Sequence, residues 1–317
     1  MSMGVAEVIP GVSGGTIAFI TGIYERLINA IKSVGPDLFY AWKDGGIKAA
    51  WKTLDGNFLV NLVVGMLAGI VVGVFGVGYL LDNYPEPLWG FFFGLIIASC
   101  IYIGKQVKTW SPSTIAAFLI GTIIAFGITV LAPAEGSDAY PIIFIAGVIA
   151  ISALILPGIS GSFILLIMGM YHIVIPAIKH FLEYRDSKSF MIFFVFALGA
   201  LLGLTTFSRV VSWLFNKYEK VTLALLTGFM LGSLNKIWPW RNVGQIKLDD
   251  RSVVSIDELN ALEAYPPDSF KVLVENNVVP ADYWMSSPKV GMTVLALLIG
   301  FATVFILERL GSDKDVA

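Results

Sequence analysis

Two short strings carry most of the chemistry that this chain can offer. Val8-Ile9-Pro10-Gly11-Val12-Ser13-Gly14-Gly15-Thr16 recurs as Ile155-Leu156-Pro157-Gly158-Ile159-Ser160-Gly161-Ser162-Phe163, and Gly22-Ile23-Tyr24 recurs as Gly169-Met170-Tyr171, all at a constant offset of 147. Both strings interrupt apolar sequence. Proline removes a backbone donor, glycine frees the chain, and small side chains leave the amides uncovered. Helices restarting near Gly14 and Gly161 would aim their N-terminal amides, each end worth about +0.5 charge, at a common point. That is anion chemistry, with Ser13, Gly14, Gly15 and Thr16 in one string and Ser160, Gly161 and Ser162 in the other as candidate phosphate ligands. Close packing of small residues would explain isolated Gly and Ser, but recurrence of the whole string favours a site. Because Thr16 is matched by Phe163 and Glu7 by Leu154, the first tip is the more polar and is expected to dominate binding.

Two ionisable residues stand out at depth. Glu7 lies three residues before Pro10 in apolar company, where a carboxylate is costly unless paired or protonated, so it is a candidate carrier of a coupling proton, with a place near the surface as the alternative; protons or another coupling ion are expected partners. Arg209 lies about 9 Å inside its span at 1.5 Å per residue and is a further candidate for phosphate, with snorkelling as the alternative. Arg26, Lys105, Lys236, His172 and His180 read as interfacial anchors, and Cys100 as packing. One cysteine and two histidines build neither a disulfide nor a Cys/His zinc site, so no metal and no cofactor are expected. A net charge of −2 without a polybasic run excludes a nucleic-acid partner.

The elements that must hold these residues are membrane helices. The chain is 56% hydrophobic and 14% charged, whereas soluble domains average roughly 25% charged. Thirteen charged residues fall between Arg241 and Lys289, which marks 239–289 as an extramembrane insertion. Against a span length of about 20 apolar residues, six stretches qualify: 58–81, 88–104, 113–131, 190–215, 221–238 and 290–308. Stretches 4–31 and 140–178, each broken by a motif, read as re-entrant hairpins. Gly69, Tyr84, Gly94 and Ser99 also match Gly203, Tyr218, Gly228 and Ser233 at an offset of 134. The fold expected is therefore an all-α polytopic membrane protein of two inverted-topology repeats, 1–135 and 136–317, each a broken hairpin followed by three spans. Lysines in 32–57, after 104 and near 218 place those loops in the cytoplasm. Acidic connections at 82–87 and 132–140 then lie outside with the insertion, and both termini are cytoplasmic. Lys179, Arg185 and Lys188 dissent. No positive n-region or cleavage site precedes the first motif, so no removable signal peptide is expected.

The duplicated Pro-Gly-x-Ser-Gly strings, with Gly22-Ile23-Tyr24-Glu25-Arg26 downstream, resemble the bacterial PopT family over nearly the whole chain. The resemblance implies a flippase of the bacterial inner membrane that returns undecaprenyl phosphate, or a related lipid phosphate, to the cytoplasmic leaflet for cell-wall synthesis, and not an enzyme. Alternating access of the two hairpins would supply the polar path. Undecaprenyl-pyrophosphate phosphatases share inverted repeats and a Pro-Gly-x-Ser motif. In them an arginine clamp follows the serine, where Gly14 and Gly161 stand here, so charge stabilisation of a transferring phosphoryl group is missing. A small-anion transporter is the third alternative.

Overall fold

The computed structural model describes residues 1–7, 13–248, 252–266 and 269–312. The Pro10-Gly11-Val12 break lies outside the described residues. The chain begins with three short helices, α1 (Ser2–Glu7), α2 (Gly14–Ile20) and α3 (Tyr24–Lys32), followed by α4 (Pro36–Thr53), α5 (Gly56–Asn83), α6 (Pro85–Gln106) and α7 (Pro112–Val130). Next come α8 (Tyr140–Ile155), α9 (Gly161–Ile167), α10 (Tyr171–Tyr184) and the 47-residue α11 (Ser187–Ser233).

Among the described residues, α5, α6, α7 and α11 are each long and apolar enough to cross a membrane. At 1.5 Å per residue α11 would extend about 70 Å, more than twice a hydrocarbon core of about 30 Å. It is broken at Tyr218 (φ −136°, ψ 43°), so the expected spans 190–215 and 221–238 are joined by one non-helical residue, and the second ends as helix at Ser233, short of the expected 238. Tyr84, its match at offset 134, has φ −139° and ψ 50° at the α5/α6 junction. α5 and α7 leave Val63, Leu67, Val71, Phe75, Leu119, Ile123 and Phe126 exposed, apolar faces that hydrocarbon satisfies and water does not. α6 carries the central core, with Ile96, Ala98 and Ser99 fully buried.

The stretch 32–57, expected as a loop, is mostly helical. α4 bends at Gly46 (φ 67°) and exposes Phe39, Tyr40, Trp42, Ile47 and Trp51. Aromatics interleaved with Lys43, Lys48 and Lys52 suit the headgroup layer of a membrane.

The insertion departs from an all-helical chain. It holds β1 (Arg241–Leu248), β2 (Val253–Ser255), α12 (Leu259–Glu263) and β3 (Phe270–Asn277), and α13 (Val290–Ser312) follows it. The sheet is antiparallel in the order β2-β1-β3, with Lys247 opposite Val253 and Arg241 opposite Asn277. Val243, Ile246 and Ile256 form its small core. The insertion is tied to the start of α6 and to the segment between α7 and α8. Lys289 meets the fully buried Glu86 at 3.1 Å, Tyr283 donates to the same carboxylate at 3.1 Å, and Lys247 reaches Glu135 at 3.3 Å. The connections at 82–87 and 132–139 therefore share a side with the insertion. At another edge of the molecule, Lys220 donates to Thr109 at 3.3 Å and joins the α6/α7 turn to the break in α11.

Helix crossings match in pairs. A Cβ on Gly94 would collide with the Leu297 carbonyl of α13, and one on Gly228, its match at offset 134, with the Phe118 carbonyl of α7. Gly69 lies against the Met1 carbonyl, and Gly203 against that of Val148, the residue 147 further on. The glycines at these crossings permit backbone contact between helices.

Candidate functional site

The second motif is a helical hairpin. α8 runs to Ile155, the chain turns through Gly158, and α9 restarts at Gly161. Gly158 has φ +86°, and a Cβ there would lie 2.9 Å from Met230 Cα and 3.0 Å from the Phe229 carbonyl oxygen, so left-handed backbone and close approach to α11 both demand glycine. At the far end of α9, Gly169 (φ +68°) turns the chain by 115° into α10. The Ala134 amide donates to the Ile167 carbonyl at 2.6 Å, so α9 ends beside the segment from which α8 began. Gly22 (φ +72°) makes the equivalent turn between α2 and α3.

The two motifs touch. The Gly158 amide donates to Thr16 Oγ1 at 2.9 Å, and Ser13 Oγ donates toward the Leu156 carbonyl at 3.4 Å. Gly15 packs so tightly that a Cβ would sit 2.9 Å from the Ile155 carbonyl oxygen. Ser13 and Thr16 are completely buried. Within the first tip the Gly15 amide donates to Ser13 Oγ at 3.1 Å, and the Gly14 amide donates to Glu7 Oε1 at 2.8 Å. A carboxylate thus holds the position in α2 where an external anion was expected.

The second tip is arranged differently. Ser160 provides no side-chain cap to α9; its hydroxyl pairs instead with that of Ser162 at 2.8 Å. Hydrogen bonding therefore leaves the second tip, rather than the more polar first one, less satisfied from within. Arg209 is not brought to either tip. It is exposed on α11 and donates to the Val34 carbonyl at 3.2 Å, beyond the end of α3.

Residues matched at offset 147 also differ in exposure. Ser162 and Tyr171 are exposed and Phe163, Leu166 and Ile167 half-buried, and all five line a cavity of about 690 Å³. Their matches Gly15, Thr16, Ile20 and Tyr24 are buried, while Phe19 is half-buried like its own match Leu166. The Tyr24 hydroxyl, shut in beside Phe19 and Phe215, has no hydrogen-bond partner among the described residues. The cavity is closed on its other side by Lys236, Arg241 and β3, including Glu275. Sequence reasoning left Arg241 and Glu275 unassigned and took Lys236 for an anchor. The strands that assemble them carry no motif.

Four helices of membrane length, together with two touching interrupted motifs, mark a multi-pass helical membrane protein. The family model described as undecaprenyl phosphate translocase-like matches residues 3–254, and the chain belongs to that family. The chain is 38% identical to the polyprenyl-phosphate transporter of Vibrio cholerae serotype O1 over 314 residues, covering 99% of this chain and 94% of that protein. It is 31% identical to the polyprenyl-phosphate transporter of Staphylococcus aureus over 252 residues, 75% of this chain and 83% of that one. No solved structure matches the chain.

Proposed function

We propose that this protein transports a polyprenyl phosphate, of the undecaprenyl type, across the bacterial cytoplasmic membrane by alternating access between two inverted halves. Residues 1–135 and 136–317 form these halves, each a re-entrant hairpin with three spans, α11 supplying two of them. The carrying observation is the asymmetry of exposure: matched residues of α9 and α2 line an open cavity in one half and a sealed core in the other. A transporter caught open to one side has that form. Likeness to two transporters, one over 99% of the chain and the other over 75% of it, supports the substrate class. Paired helix crossings at glycines 134 residues apart support the inverted repeat.

In this reading the phosphate meets Ser160, Gly161 and Ser162 on the open side and Ser13, Gly14, Gly15 and Thr16 once the gate has changed over. There it takes the place of Glu7 on the Gly14 amide. A carboxyl displaced at depth is stable only when protonated, which makes Glu7 the point where a proton couples to transport. Arg209, bonded to Val34, anchors the span at the interface instead.

In proteoliposomes the purified protein is expected to speed movement of a labelled polyprenyl phosphate between leaflets well above protein-free vesicles, and to leave labelled inorganic phosphate and sulfate outside. Release of phosphate from polyprenyl pyrophosphate would instead mark a phosphatase. Lipid movement no faster than in empty vesicles would remove the proposal. Sidedness follows from the basic loops: cysteines at Asp44 and Lys217 are expected to label from the cytoplasm and one at Asp257 from outside, and the reverse pattern would invert the assigned orientation.

A further inference from the structure

The cavity that opens on the insertion side is walled by two different kinds of surface. On one wall, α9 presents Ser162, Phe163 and Leu166, with Tyr171 just beyond it. On the other stand Lys236, which follows α11, and Arg241, which opens β1. Both cations converge on one atom: Lys236 Nζ lies 2.9 Å and Arg241 Nη1 2.8 Å from Glu275 Oε2 on β3. Each cation also stands over an aromatic ring. Lys236 is 5.0 Å from the Phe163 centroid, and Arg241 is 4.7 Å from that of Trp89.

The charge balance is incomplete. Two cations face one carboxylate, so the cluster carries a net +1 in a cavity whose lining is part apolar and part polar. Burial alone would raise the Glu275 carboxyl, but Arg241 and Lys236 outweigh it and hold the group below its ordinary range, so it stays ionised. Arg241 and Lys236 side chains are 12% and 24% exposed, while that of Glu275 is 33% exposed on an edge strand. The carboxylate is thus the member of the trio that can swing to water at least cost. The guanidinium fork and the ammonium would then face the cavity unpartnered.

We propose that Lys236 and Arg241 form the headgroup site for a prenyl phosphate monoester entering from the insertion side, and that Glu275 is the resident anion which the phosphate displaces. A phosphate dianion matches the two cations where the single carboxylate does not, and the arginine fork suits it bidentately. The aromatic and aliphatic wall accepts the first isoprene units, and a volume of about 690 Å³ lies in the range of small-molecule sites. Ser162 lines the cavity and bonds Ser160, giving the headgroup a polar step from the cation pair to the tip. The proposal rests on the lipid-phosphate reading and adds its entry site.

The test measures binding to the full-length protein in detergent with three probes: geranylgeranyl phosphate, inorganic phosphate and geranylgeraniol. Lys236→Gln and Arg241→Gln are each expected to weaken geranylgeranyl phosphate binding by at least about tenfold, since each removes a charge-assisted contact. Glu275→Gln is expected to tighten it by about threefold or more, because the competing anion is gone. Geranylgeraniol binding should not change in any variant. The opposite signs matter, because all three substitutions break the same ion pairs. A purely structural latch predicts losses in all three, so a folded Glu275→Gln protein with unchanged or weaker binding overturns the proposal. So do folded lysine and arginine variants with parental affinity, and in that case the transport reading stands. Failure of the parent itself to bind geranylgeranyl phosphate would overturn both readings. Equal affinity and equal variant effects with inorganic phosphate would assign the site to free phosphate and overturn the lipid.

Discussion

Gly158→Ala is expected to cost this protein both stability and transport, and Gly22→Ala to cost it far less. Both residues have left-handed backbone, φ +86° and φ +72°, and a Cβ in that conformation costs about 1–2 kcal/mol. They part company in what the new methyl group meets. At Gly22 nothing lies within 4 Å, whereas at Gly158 the methyl would sit 2.9 Å from Met230 Cα and 3.0 Å from the Phe229 carbonyl oxygen, backbone atoms of α11 that no rotamer change can move. Overpacking of this kind adds about 1–3 kcal/mol. The shift it forces also moves the amide that donates to Thr16, so the contact between the tips loosens. Melting in detergent and lipid transport, measured side by side, decide the matter. Equal losses in the two variants would mean that conformation alone, and not the close approach to α11, selects glycine at position 158.

Glu7→Gln is expected to leave the fold intact and to flatten the dependence of transport on pH. Gln keeps a carbonyl oxygen that can accept from the Gly14 amide, as Glu7 does at 2.8 Å, but it cannot take up or release a proton. Glu7→Ala is different in kind, because it strands the Gly14 amide in a buried tip at a cost of about 1–3 kcal/mol. Transport rates of the parent and both variants across the range from acid to neutral separate the two functions of the side chain. A Gln variant with the parent's full pH profile would move proton coupling to another group.

The break between α8 and α9 was legible because Pro-Gly followed by Ser-Gly cannot continue an apolar helix, and α5, α6, α7 and α11 were legible as span-length helices because hydrocarbon sets that length. Tyr84 and Tyr218 were legible as partners from spacing alone, although not as the points where the backbone leaves helical geometry. The sheet was not. β1 pairs directly with β3, joining Arg241 to Asn277 across a long sequence separation, while β2 on the other edge has only three residues, and no local period announces such strands. The same distance hides the cation pair, since Lys236 and Glu275 meet only after β1 and β3 have paired. α4 was missed because Gly45-Gly46 among lysines and aromatics reads as a connection until a membrane surface is present to organise it. The occupation of the first tip by Glu7 was unreadable for another reason: sequence can show that a carboxylate is near an amide, but not that it is the acceptor.

The Tyr24 hydroxyl gives the sealed half a thermodynamic character of its own. Buried without a partner, it forfeits a hydrogen bond that its counterpart Tyr171 can make with water in the open cavity. Such a debt is worth about 1–3 kcal/mol, roughly 5- to 150-fold in a two-state ratio. In the alternating cycle proposed above, closure on the Tyr24 side is therefore metastable, held by the tip contacts and the packing around Phe19 and Phe215 against a standing drive toward hydration. In that proposed cycle the cargo need not supply the whole of the opening free energy: weakening the contact between Thr16 and Gly158 removes one part of the hold, and wetting of the hydroxyl supplies another part of the drive.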